Sequence, residues 1–154
     1  MNSHHVRLAV REPSQPSAAR TTARDIADGL GFAEDDSYRT GLVASELASN
    51  LVKHTSAGGE MLLRRFSDES GGGVELLAID RGPGMPDVDA CLRDGMSTTG
   101  TLGHGLGAVR RLSDEFDLHS EPGRGTVVFS RVRARRARPP QGRVHYAGVS
   151  VPLS

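Results

Sequence analysis

At 154 residues, with 36% hydrophobic and 4% aromatic content and no Trp, the chain has the size of one ordinary domain with a core of Leu, Val, Ala and Ile. No apolar run reaches the length of a membrane span, no apolar leader is expected at the N-terminus, and the lone Cys91 excludes an internal disulfide; together these suggest a reducing, cytoplasmic setting without a membrane. The formal net charge of zero hides a division: all 19 acidic residues lie in 1–130 against 13 Lys and Arg, a net of −6, whereas 131–154 hold six Arg and no acid.

In chain order, VRLAV (6–10) predicts a short strand. Ser17 is placed to cap a helix from Ala18 to about Leu30, with Ala19, Ala23, Ile26, Ala27 and Leu30 on one face and Gly31 ending it. A longer helix is expected from about Asp35 to His54, closed by Gly58 and Gly59. MLLRRF (61–66) and VELLAID (74–80) predict two strands of a hairpin joined through SDESGGG. A short helix follows over about Val88 to Arg93, where Cys91 is a small helix residue with no activating cluster beside it. DGMSTTGTLGHGLG (94–107) carries five glycines and excludes a regular element. AVRRLSDEF (108–116) predicts a helix with Ala108, Val109, Leu112 and Phe116 on one face, and DLHS and GTVVFSRV (125–132) predict strands about the turn EPGRG. This order implies an α/β (α+β) two-layer sandwich: a mixed, mostly antiparallel sheet covered on one face by helices.

Beyond the body, residues 133–143 read as a solvated Arg/Pro-rich linker. An arm for nucleic acid is disfavoured because only Tyr146 offers an aromatic ring for stacking, so no nucleic-acid partner is expected. VHYAGVSVPLS alternates like a strand, and 144–154 is expected to begin a further domain.

Three clusters carry chemistry. In SELASNLVKH (45–54), Glu46, Asn50 and His54 recur every four residues and form one stripe of a helix, bordering the apolar stripe of Val43, Leu47 and Leu51. In AIDRGPGM (78–85), a strand of buried character delivers Asp80 at its end, where its carboxylate can accept from an exocyclic amine such as that of adenine; Gly82 and Gly84 let a ligand approach the backbone. In TLGHGLG (101–107), Gly103, Gly105 and Gly107 expose N–H groups just before a helix, which suits phosphates. Each cluster alone also fits a plain reading: a solvated helix shoulder, a strand-ending turn, a flexible loop. Taken in order, with an amide oxygen as a hard ligand for Mg²⁺, they describe a Mg²⁺–ATP site.

The three motifs resemble the N-box and the two glycine boxes of the GHKL ATPase superfamily, and the run DGMSTTGTLGHGLGAVRRLSDEFDLHSEPGRGTVV is most similar to RsbT-type anti-sigma-factor serine-protein kinases. The likeness covers about residues 6–132. It implies a Bergerat-type ATP-binding fold in which Glu46 is the general base and Asn50 the Mg²⁺ ligand. Asp80 reads adenine, Gly82 and Gly84 wall the pocket, Met85 packs on the base, and Thr126 joins the water network. Gly103, His104, Gly105, Leu106 and Gly107 wrap the triphosphate, with Ser97, Thr98 and Thr99 in the lid and Lys53 and His54 near phosphate or ribose. The implied activity is ATP-dependent phosphorylation of a serine on a STAS-domain, anti-anti-sigma-type regulator in a bacterial stress-signalling partner switch. Two other readings stay open: an ATP-binding regulatory module of a larger PP2C-type phosphatase protein, with that domain in cis or in trans, and a protein that sequesters a sigma factor.

Overall fold

Strand residues two apart share a face of a sheet, and here that parity sorts apolar from charged. The computed structural model describes residues 5–54, 58–85, 87–93, 105–135, 143–147 and 150–153. Strands β1 (Val6–Val10), β2 (Gly59–Asp68), β3 (Gly71–Asp80), β4 (Glu115–Glu121) and β5 (Gly125–Arg133) form one sheet in the order β1-β2-β3-β5-β4. All four pairings are antiparallel. On the inner face Val10, Met61, Leu63, Val74, Leu76, Ala78, Val128 and Val132 are buried. They share one core with Ala19, Ala23 and Ala27 of α1 (Gln15–Gly29) and Val43, Leu47 and Leu51 of α2 (Glu34–His54). Burying a Leu side chain of this kind contributes about 1.5–3 kcal/mol. Two shorter helices, α3 (Val88–Leu92) and α4 (Gly105–Leu112), complete the helical layer. The two-layer arrangement is therefore the expected one.

Among the described residues no helix covers the other face, and it is banded. Cross-strand register sets Arg7, Leu62, Leu77, Phe129 and Asp117 in one row. A neighbouring row runs Arg64, Glu75, Arg131 and Glu115, alternating in sign as cross-strand pairing favours. Arg64 and Arg131 both bind the Glu75 carboxylate, and Arg133 bridges Asp68 (2.6 Å) and Glu115 (2.5 Å). The guanidiniums of Arg131 and Arg133 lie 4.4 and 4.8 Å from the centre of the Phe66 ring, which they cover. Burial pushes the Glu75 carboxyl up, but hydrogen bonds from Arg64 and Arg131 outweigh it and hold the group below its ordinary range. Two arginines assigned by sequence to the tail or its border thus belong to the sheet. Arg135 is also fixed, its backbone N–H donating to Asp36 Oδ2 at 2.8 Å.

Arg39 joins the layers. Its buried guanidinium donates to the Leu112 carbonyl at the end of α4 (2.6 Å), Asp114 (3.1 Å), Asp36 (3.1 Å) and the Arg133 carbonyl (2.7 Å).

Several boundaries differ from expectation for local reasons. Helix α1 starts at Gln15, with Ser14 rather than Ser17 in the capping position. Pro16 suits the first turn, and the Gln15 side chain accepts from the backbone N–H groups of Arg11 and Glu12. Leu30 is exposed and Phe32 packs on the core instead. Strands β2 and β3 continue to Asp68 and from Gly71, so the glycine run is strand and the turn shrinks to Glu69-Ser70. A Cβ at Gly73 would collide with the Val132 carbonyl and lie 2.9 Å from the Phe66 ring; glycine is there for packing. Phe116 lies in β4, not on a helix face, because α4 stops at Leu112 and the Asp114 N–H turns to the Arg131 carbonyl at 2.9 Å. The terminal segment forms two short strands, β6 (Arg143–Ala147) and β7 (Ser150–Leu153), paired as an antiparallel hairpin.

Candidate active site

The stripe on α2 lies where its spacing places it. Val43, Leu47 and Leu51 are buried, Glu46 and Asn50 are half-buried, and Lys53 is exposed one turn on. A carboxylate and an amide are thereby held at the margin of the core, close enough to be fixed by packing yet still open to a ligand. His54 ends the helix, and its side chain lies outside the described residues.

Asp80 ends β3 and is paired in register with Gly59 on one side and Thr126 on the other. Its Oδ1 accepts from the Gly82 N–H at 2.8 Å, and among the described residues Oδ2 accepts nothing. One oxygen therefore shapes the loop and the other remains to receive a donor. Gly125, opposite in β5, has φ +121°, and a Cβ on it would strike the Asp80 carbonyl. Only glycine allows that approach.

The glycine loop after Asp80 is docked onto the β4–β5 turn. Gly84 has φ +78°, and a Cβ there would clash with the Glu121 carbonyl. The Gly123 N–H donates to the Pro83 carbonyl at 2.9 Å. Met85 is tied by its backbone N–H to Ser120 Oγ (2.7 Å) and packs against the core, while Ser120 Oγ and Thr126 Oγ1 are 2.8 Å apart. Thr126 is buried. Ser120 and Gly125 were not singled out from sequence. A signal for Ser120 exists: it shares strand parity with Phe116 and Leu118, so it is a hydroxyl at an inward position.

The last cluster needs a correction. Gly105, Leu106 and Gly107 are the first turn of α4 rather than loop, and Leu106 is buried in the core. Its side chain therefore holds the helix down, and only backbone N–H groups of this turn, which lack intrahelical partners, are available to phosphate. Ser97, Thr98, Thr99, Gly103 and His104 lie outside the described residues.

The donor set fits Mg²⁺–ATP. Asp80 keeps a free carboxylate oxygen for an amine, α4 presents unpaired amides, and α2 offers a half-buried amide oxygen beside a carboxylate. Among the described residues no three His, Cys, Asp or Glu side chains gather into a metal cluster. Mg²⁺ tolerates that, since it is usually bound through one or two protein oxygens with phosphates and water.

The chain is similar to known proteins. The family model described as "Histidine kinase-like ATPase domain" matches residues 9–131. The chain is 40% identical over 111 residues to the serine/threonine-protein kinase RsbT of Bacillus subtilis (strain 168), covering 72% of this chain and 83% of that protein. Among solved structures, the RsbU and RsbW domains of Rv1364c from Mycobacterium tuberculosis superpose with a TM-score of 0.60 at 19% identity, covering 88% of this chain and 34% of that one. At that identity the likeness concerns the fold.

Proposed function

Because the chain belongs to the histidine kinase-like ATPase domain family and is an ATP-binding serine/threonine-protein kinase, we propose that it transfers the γ-phosphoryl group of Mg²⁺–ATP to a serine of a STAS-domain regulator in a cytoplasmic partner switch of the bacterial stress response. The observation that carries this reading is the half-buried pair Glu46 and Asn50 on the core-side shoulder of α2. Phosphoryl transfer asks mainly for positioning and charge neutralisation. Asn50 would hold Mg²⁺, which would supply charge neutralisation on the phosphate oxygens. Asp80, the Gly82–Gly84 loop, Met85 and Thr126 orient the adenine end. The first-turn amides of α4, with Gly103 and His104 before them, receive the phosphates, and Ser97, Thr98, Lys53 and His54 border them. The serine oxygen attacks the γ-phosphorus, the bond to the β,γ-bridging oxygen breaks, ADP leaves, and Glu46 takes the serine proton. Within this reading the kinase unit, expected over residues 1–132, extends to Arg135, and the linker follows it.

A second reading, an ATP-binding regulatory module for a PP2C-type phosphatase in cis or in trans, draws support from β6 and β7, which among the described residues pair with each other in a separate two-stranded sheet. One experiment separates the two: transfer of radiolabelled phosphate from Mg²⁺–ATP to candidate STAS-domain proteins by wild type, Glu46→Gln and Asn50→Ala, beside equilibrium nucleotide binding. Label on serine that falls about 10²-fold or more in both variants, with ATP binding retained by Glu46→Gln, supports the kinase reading. Tight ATP binding without transfer favours the module.

A further inference from the structure

The open face of the sheet contains one local exception to its charge pairing. Four of its arginines have carboxylate partners: Arg7 with Glu60 at 2.6 Å, Arg64 with Glu75, Arg131 with Glu75 and Glu115, and Arg133 with Asp68 and Glu115. Arg11 has none among the described residues, and Arg81 feels only the Glu60 carboxylate that Arg7 binds; both line the same pocket at the strand ends. Its floor is Ala9 and Ile79 and its wall is the backbone of Gly58 and Gly59. Beside it Val127, paired with Ile79 in register, is 37% exposed.

Both arginines start from fixed points. A Cβ at Gly58 would lie 2.8 Å from the Arg11 Cα, and one at Gly125 would lie 2.9 Å from the Arg81 Cα. Each backbone is thus pressed against a glycine of the neighbouring strand or its lead-in. The one acid among the described lining residues, Glu60, is hydrogen-bonded by Arg7 and also attracts Arg81. Arg7, Arg11 and Arg81 against the single carboxylate of Glu60 leave this apolar-floored pocket net positive, a surface for a carboxylate flanked by apolar side chains, since Arg presents a planar fork that suits carboxylate.

The geometry points to this pocket as a docking site for an acidic, apolar-flanked segment of the protein substrate, on the face of the sheet opposite the nucleotide. The inference rests on the kinase reading for the identity of its partner, but the chemistry of the pocket is tested without one. Fluorescence anisotropy with the full chain would compare labelled ten-residue peptides alternating Glu with Leu, Glu with Ser, and Lys with Leu. The Glu–Leu peptide is expected to bind more tightly than the other two and to weaken with added salt. Arg11→Glu/Arg81→Glu should bind it about tenfold or more weakly, and Arg11→Gln/Arg81→Gln serves if the reversal lowers the thermal midpoint. Arg124→Glu, an exposed arginine paired with Glu121, should leave it unchanged. Equal binding of the Glu–Leu peptide to wild type and the double variant overturns the site. Equal binding of Glu–Ser marks a plain anion site and overturns docking. In kinase assays Arg11→Glu, at a residue outside the nucleotide motifs, should raise KM for the protein substrate, with kcat and ATP affinity unchanged. Absence of any serine acceptor would defeat the kinase reading while the peptide result still decides the pocket.

Discussion

Asp80 and Thr126 face each other across adjacent strands, and neither would keep its place if a side chain stood at Gly125. Its φ of +121° and the carbonyl of Asp80 against its α-carbon exclude a Cβ. Gly125→Ala should cost on the order of 2 kcal/mol or more in denaturant unfolding and weaken ATP binding as Asp80 shifts; a variant as stable as wild type would contradict this role. Ser120 is the corresponding polar anchor. Removing its hydroxyl leaves the Met85 N–H without its partner, a loss of about 1 kcal/mol for a half-buried group. Ser120→Ala should therefore bind ATP about fivefold more weakly by calorimetry, and unchanged affinity would show that the Met85 loop holds itself. The places of Glu46 and Asn50 on the shoulder of a helix and of Asp80 at a strand end were legible in the sequence because helix periodicity and strand termination are local properties. It did not reveal Ser120 or Gly125, whose importance comes from contacts with Met85 and Asp80 made some 35 and 45 residues away in the chain.

Among the elements, α2 does the most. It supplies the middle of the core, the candidate catalytic stripe and, at its N-terminal end, the Asp36–Arg39 pair. Arg39→Met removes four hydrogen bonds and leaves Asp36 buried without its guanidinium. Breaking a buried pair in this way costs about 3–5 kcal/mol, to be read as a lower urea midpoint; a loss below about 1 kcal/mol would mean that water replaces the guanidinium. The helices were readable from their 3.6-residue period, but their ends were decided by tertiary partners. Phe116 fits a helix face by spacing, yet the Asp114 N–H finds the Arg131 carbonyl and the chain enters β4. Likewise Gly71, Gly72 and Gly73 look like a turn until Phe66 and Val132 occupy the space their side chains would need.

Across the whole molecule, the charged ladder on the open face sets the response to acid. The Asp68 carboxyl, hydrogen-bonded by Arg133, is lowered to about 2, and Glu75 is lowered despite its burial. Both are more acidic folded than unfolded, where such groups titrate near 4. Their stabilisation is complete above the unfolded value and is lost as pH falls through the folded one. Urea midpoints should therefore decline between about pH 4 and pH 2, and Asp68→Asn should make that decline shallower; an identical slope in the variant would remove Asp68 from the account. The clamp around Arg39 has a mechanical meaning as well. Asp36 holds the N–H of Arg135, where the described body ends, and lies on the same continuous helix as Asn50. At 1.5 Å per residue a rod of about 20 Å connects them. Force applied to whatever follows Arg135 is delivered first to the far end of that rod, so a tug on the tail and a change at Asn50 load one stiff strut.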